Sequence, residues 1–348
     1  MKEFTGFSTG INLGGWLSQY SRFDHTHFKT FIDESDISRI ASWGMDHVRL
    51  PVDYPLLEDD AEPFHYLESG FEYIDHCIEW CRKHQLNLIL DIHRAPGYSF
   101  NALGESDLFS QPAQQQRFIS LWETLARRYA GVRQPEVVFE LLNEVVLADS
   151  RPWNDLALRL IETIRSIDPL HWIMVGGNKN NAISTLKEIP IFNDPNIVYT
   201  FHFYEPLPFT HQKAAWVPSL SRFDHNYDFP SPASGLGDFL KRYPEYRTDQ
   251  NMESYIDCMM DKGDLEKRMQ DAVDFIQKTG KPVYCGEFGV IDLAPMSGRI
   301  NWNRDFIGLL IQNKIGRAYW SYKEMDFGIV DTNGRVVNEG LLKTICQQ

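Results

Sequence analysis

Disulfide chemistry is the first thing this sequence is short of. Its five cysteines, Cys77, Cys81, Cys258, Cys285 and Cys346, have neither the spacing of a zinc site nor that of a disulfide framework. Cys77 and Cys81, four residues apart, suit one buried helix face. Positive charge is scarce too. The chain has 34 Lys and Arg against 48 Asp and Glu, a formal charge of −14, which excludes a nucleic-acid backbone as partner and suits neutral ligands. No apolar run approaches the ~18 residues of a membrane span, so no membrane partner is expected. The opening MKEFTGFSTGINLGG lacks the apolar core of a signal peptide. A cytoplasmic protein is expected, or a secreted one whose leader is not included in this sequence. Metal ligands are equally sparse: Asp24, His25 and His27 in DHTH have nothing nearby to complete a coordination shell, and a solvated loop is expected there.

Apolar residues, by contrast, make up 43% of the 348 positions, enough for a large core. Nine tryptophans and 15 tyrosines suit a ligand cleft as well as a core. Eight strand-like runs recur with helical stretches between them: 10–16, 46–51, 86–93, 136–144, 171–177, 196–204, 281–289 and 317–323. In DESDISRIASWG, Ser35 is the expected N-cap and Gly44 the stop. Phe71, Ile74, Cys77, Ile78 and Cys81 line up on one face at helical spacing. Eight strands alternating with helices predict an α/β fold, the closed (β/α)8 TIM barrel, as a single catalytic domain over residues 1–348. One connection is out of proportion. About 205–262, after the sixth strand, is far longer than an ordinary barrel loop. Its Phe209, Trp216, Phe223, Tyr227 and Phe239 argue against disorder and for an inserted subdomain over the barrel's top.

Chemistry in such barrels gathers at the C-terminal strand ends. There the sequence sets Trp16, Arg49, His93, Asn143 with Glu144, His202 with Tyr204, Glu287 and Trp320. Arg49, His93 or Trp320 alone suits a structural role. Glu144 and Glu287 are harder to explain that way, because both end apolar strands; FELLNEVV also puts Glu140 and Glu144 on one strand face by the period-two rule. Unpaired buried charge is costly. Two carboxylates facing each other across a barrel mouth supply the parts for glycoside hydrolysis, one giving a proton to the leaving oxygen and the other attacking the anomeric carbon. The acid needs a raised pKa, which burial provides; the nucleophile must stay ionised, a task for Arg49 and the Tyr204 hydroxyl.

These segments resemble glycoside hydrolase family 5, the cellulase-type barrels, over nearly the whole chain. The likeness rests on GINLGGW with SQY, HVRLPVDYP, APGY, FELLNEVV, FHFY and YCGEFGVI. FTHQKAAW, inside the insertion, extends it to the clostridial endoglucanase C subgroup. The resemblance implies Glu144 as general acid/base and Glu287 as nucleophile. It implies Asn143 on the sugar 2-hydroxyl, Arg49 and Tyr204 holding Glu287, His202 orienting Glu144, His93 on the sugar at the cleavage subsite, and Trp320 as stacking floor. Trp216 and Trp16 are added here as substrate contacts. Two departures stand out: Val145 follows the acid/base where most of the wider family has Pro, and Arg94 follows His93 where another His is expected, which leaves the hydrogen bonding of that subsite open. The implied activity is a retaining endo-β-glucanase on β-1,4 or mixed β-1,3/1,4 glucans, with no cofactor or metal, acting as a monomer on an oligo- or polysaccharide. An exo-β-1,3-glucanase, a non-catalytic carbohydrate-binding barrel and a metal-dependent hydrolase are the alternatives.

Overall fold

The computed structural model describes residues 3–348 apart from 103, 105 and 135. Eight parallel strands close into one barrel. They are β1 (Thr9–Asn12), β2 (His47–Asp53), β3 (Asn87–Arg94), β4 (Val137–Glu140), β5 (Trp172–Gly176), β6 (Ile197–Phe203), β7 (Val283–Phe288) and β8 (Gly316–Tyr319). Neighbours in sequence are neighbours in space, and β8 closes the ring by pairing Gly10 with Ala318. Helices Glu34–Ser42, Glu68–His84, Pro112–Tyr129, Arg151–Ile167, Lys262–Thr279 and Met296–Gln312 surround it. The fifth crossover is the exception: a short 3₁₀ turn, Ile183–Glu188, stands where a helix was expected. Cys77 and Cys81 are buried and unpaired.

The barrel interior changes character along its axis. Near the N-terminal end it is apolar, filled by Phe7, Ile89, Val138, Trp172, Met174, Val198, Tyr284 and Ala318. Two residues further along, on the same inward face, β3 carries Asp91 and β4 carries Glu140, paired directly across the sheet and both fully buried. Period two therefore turns an apolar layer into a charged one.

Local structure corrects several expectations. Asp33, not Ser35, is the N-cap of Glu34–Ser42: its carboxylate accepts from the backbone of Ser35 and Asp36, and Asp36 completes a capping box. A carboxylate two positions earlier reaches both free N–H groups. The DHTH segment is no solvated loop but a short helix, His25–Thr30, capped by Asp24, with His25 on the Tyr73 hydroxyl at 2.9 Å and His27 on the Gly15 carbonyl at 2.7 Å. Strand β4 stops at Glu140, so Glu144 lies four residues past it, in the left-handed region at φ 40°.

The long connection is folded. It carries helices Leu207–Thr210, Pro218–Arg222 and Leu236–Arg242 and a two-residue ribbon pairing Ser231 with Met260. Its Phe209, Leu220, Phe229, Leu240 and Tyr255 belong to the same apolar cluster as the barrel's helices. Trp302 Nε1 donates to the Glu205 carbonyl at 2.9 Å, and Asn301 Nδ2 to that of Phe229 at 3.0 Å, fastening the insertion to the helix after β7.

Candidate active site

Arg49, on β2, lies at the centre of the charged layer with no exposed surface. All five of its N–H groups are used. Nε donates to Glu140 Oε2 at 2.6 Å, and Nη2 to Glu140 Oε1 and Asn143 Oδ1, each at 3.0 Å. Nη1 donates to Asn12 Oδ1 at 2.9 Å and Glu287 Oε1 at 2.8 Å. An arginine has no more donors to give. Asp91 Oδ2, 3.0 Å from Nη2, adds charge to this cluster, and it accepts from His93 Nδ1 at 2.6 Å. Burial raises the Asp91 carboxyl to about 7.

Glu287, at the end of β7, takes its second hydrogen bond on Oε2 from the Tyr204 hydroxyl at 2.9 Å. Glu144 is held differently. His202 Nδ1 donates to its Oε1 at 2.8 Å and Asn180 Nδ2 to its Oε2 at 3.3 Å. Burial lowers His202 to about 4, so the ring is neutral at ordinary pH. Asn181 Nδ2 lies 3.3 Å from Nε2, an arrangement that matches the tautomer with its proton on Nδ1. Burial also raises the Glu144 carboxyl to about 7. The strained backbone of Glu144 is clasped by the Tyr98 hydroxyl, which donates to the Glu144 carbonyl and accepts from Val146 N, both at 2.8 Å.

One carboxylate oxygen of Glu144, one of Glu287 and a ring nitrogen of His202 lie within 4.8 Å of one another. No acid–histidine ligand set was visible in the sequence, and the fold assembles this one. A divalent cation there would have to share Glu287 with the Arg49 guanidinium, so the donor set fits a metal poorly.

Most of the rim residues expected from sequence are thus brought together: Arg49, His93, Asn143, Glu144, His202, Tyr204, Glu287 and Trp320. His93 is sandwiched, with Trp320 stacked on one side at 5.9 Å and Phe100 edge-on at 5.2 Å, and only 1% of it is exposed. Trp320 in turn presses on the first loop: a Cβ on Gly14 would lie 2.8 Å from its Cη2, so only glycine fits. Trp216 is half-exposed. Its ring meets His211 at 6.2 Å, His211 meets Tyr204 at 4.9 Å, and Tyr204 donates to Glu287, a three-step path. Trp16 is a correction. It is fully buried, its indole donates to the Phe28 carbonyl at 2.7 Å, and its ring stacks near Trp80 at 6.1 Å, so it has no face to offer a sugar. A polar depression of about 400 Å³ lined by Ser150, Arg151, Asn154, Lys179 and Glu188 lies on the segments that follow β4 and β5.

Sequence reasoning missed Asn12, Asp91, Tyr98, Asn180 and Asn181, and gave Glu140 no role. Asp91 and Glu140 carried a signal, a charge two residues after an inward apolar position. Asn180 and Asn181 carried none in NKNN.

The model of the cellulase (glycosyl hydrolase family 5) family matches residues 4–326, a span that includes this whole constellation. Endoglucanase C of Acetivibrio thermocellus is 44% identical over 342 residues, covering 98% of each chain. Cellodextrinase A of Ruminococcus flavefaciens is 38% identical over 306 residues, 87% of this chain and 81% of that one. Among solved structures, endoglucanase Cel5A of Thermotoga maritima matches with a TM-score of 0.77 at 26% identity, covering 98% of this chain and 97% of that one. With a family match over most of its length, a barrel of the same architecture and two opposed carboxylates at its mouth, this chain belongs to glycosyl hydrolase family 5 and is a glycoside hydrolase of the cellulase type.

Proposed function

We propose that the protein is a retaining endo-β-glucanase that hydrolyses β-1,4 bonds in cellulose-type or mixed-linkage β-1,3/1,4 glucans by double displacement. The observation that carries this reading is the approach of Glu144 and Glu287 oxygens to within 4.8 Å. Retaining pairs stand about 5–5.5 Å apart, whereas an inverting pair needs roughly 6.5–9.5 Å to admit its water.

In the first step a Glu287 oxygen bonds to the anomeric carbon while the bond to the leaving oxygen breaks. Glu144 passes its proton to that oxygen. In the second step Glu144 takes a proton from water, whose oxygen displaces Glu287. His202 and Asn180 hold Glu144 for both roles; Arg49 and Tyr204 hold Glu287. Asn143 is assigned to the 2-hydroxyl and Trp320 to the sugar's apolar face. His93, almost sealed in, acts chiefly by orienting Asn143, whose Nδ2 is 3.4 Å from its Nε2. The polar depression on the segments after β4 and β5, which also carry Glu144 and Asn180, would take the leaving portion of a chain. Trp216 would stack on a more distant sugar. The insertion, on this reading, is part of the cleft of one catalytic domain over 1–348.

The first-formed reducing sugar, followed by proton NMR, should be the β-anomer. An initial α-anomer would overturn double displacement. Release from lichenan, carboxymethylcellulose, laminarin and mannan fixes the linkage. A polymer with blocked ends separates endo from exo action: the proposed enzyme cleaves it. EDTA should leave the rate unchanged.

A further inference from the structure

The residue that the chemistry above leaves unused is Glu140. It is fully buried and sits two positions beyond apolar Val138 on the inward face of β4. Its side chain's only hydrogen bonds among the described residues are the two it accepts from Arg49, from Nε at 2.6 Å and Nη2 at 3.0 Å. That is the side-on fork in which a carboxylate holds a guanidinium rigidly in plane. A buried ion pair is seldom the most stabilising filling for a barrel layer, and apolar side chains commonly do as well. Its geometry is what sets it apart.

We infer that Glu140 is a positioning residue for the nucleophile: by gripping one edge of the Arg49 guanidinium it allots Glu287 a single N–H. Arg49 has five N–H groups; Glu140 occupies two, Asn12 and Asn143 one each, and Glu287 receives the last, at 2.8 Å. Without Glu140 the guanidinium is free to rotate and form its fork with Glu287 instead. Both Glu287 oxygens would then be tied to the cation, and the lone pair that must reach the anomeric carbon would be engaged or misdirected. Asp91 does not share the grip: its Oδ2 lies against Nη2 at 3.0 Å and accepts from His93 Nδ1, whereas the Nε edge of the guanidinium is held by Glu140. Removing the grip therefore alters the attack and leaves the cleft walls in place.

The inference rests on the reading of Glu287 as nucleophile, and the test separates the two. The probe is a 2-deoxy-2-fluoro cellobioside with a dinitrophenyl leaving group. Glu287 forms a bond to its anomeric carbon, dinitrophenolate departs with the bonding electron pair, and the adduct accumulates and is read by intact mass and peptide mapping. Wild-type label on any residue other than Glu287 defeats the underlying reading. With the label on Glu287, Glu140→Gln decides the relay. Its amide NH₂ opposes an Arg49 donor and breaks the fork. The maximal labelling rate should fall about a hundredfold, with the half-saturating probe concentration changed less than about threefold. Glu140→Asp keeps the charge on a shorter stem and should recover part of the rate. A Glu140→Gln rate within about threefold of wild type, or a loss confined to probe binding, overturns the inference. Should the Gln variant not fold, Glu140→Asp is judged alone: a rate reduced at unchanged probe affinity supports the relay, and a wild-type rate overturns it.

Discussion

Glu144 and Glu287 are the same side chain at the same level of one barrel, in opposite company. A permanent cation donates to Glu287 at 2.8 Å, with a phenol on its other oxygen. Among the described residues only neutral donors reach Glu144, a histidine whose burial holds it near 4 and an asparagine amide. Burial is then unopposed by a contacting charge, and the Glu144 carboxyl rises to about 7. The lesson is that role follows from the neighbour's charge, not from the carboxylate. A proton donor needs a partner that tolerates both of its protonation states, and an attacking group needs one that aligns it.

Breaking each side of this comparison should give different failures. The largest effect is expected from Glu287→Ala, about 10⁵-fold or more on every substrate, because no covalent intermediate can form. Substantial turnover of a dinitrophenyl cellobioside by that variant would contradict the assignment. Glu144→Ala should lose about 10²–10⁴-fold on natural glucan yet keep fast glycosylation with the dinitrophenyl substrate, whose leaving group needs no proton. Added azide should then speed its second step and yield a β-glycosyl azide. If the two variants respond alike, the roles are wrong.

The pH profile sharpens the same contrast. Only protonated Glu144 can give its proton, and with its carboxyl at about 7 the protonated fraction is full well below that pH. It falls tenfold per unit well above it. The kcat/KM for glucan should fall along that limb, and for the dinitrophenyl substrate the limb should vanish; an identical limb on both substrates would assign it to another group. The smallest effect lies furthest from both carboxylates. Trp216→Ala removes a stacking surface worth about 1–3 kcal/mol, so turnover of long glucans should drop about tenfold while a short aryl glycoside is little affected. Because Trp216 is 53% exposed, the melting temperature should barely move. A lowered melting temperature with an unchanged long-to-short ratio would make it a packing residue.

Local patterns in the chain were enough for the barrel and for the two carboxylates that meet at its mouth. Eight apolar runs spaced by amphipathic helices admit few closures, and charges ending such runs, at Glu144 and Glu287, mark the mouth, because each signal depends on a residue's own sequence neighbours. What depended on distant partners was not legible. Trp16 resembled a rim aromatic until the helix His25–Thr30 and Trp80 closed over it. Asn180 and Asn181 reach Glu144 and His202 because three consecutive left-handed residues, Lys179–Asn181, turn the fifth crossover back toward the cleft. Glu140 was visible as an anomaly, but its meaning lies in Arg49, 91 residues away. Barrel closure brings the two into one layer, and in a dry interior each must find its partner there or not at all.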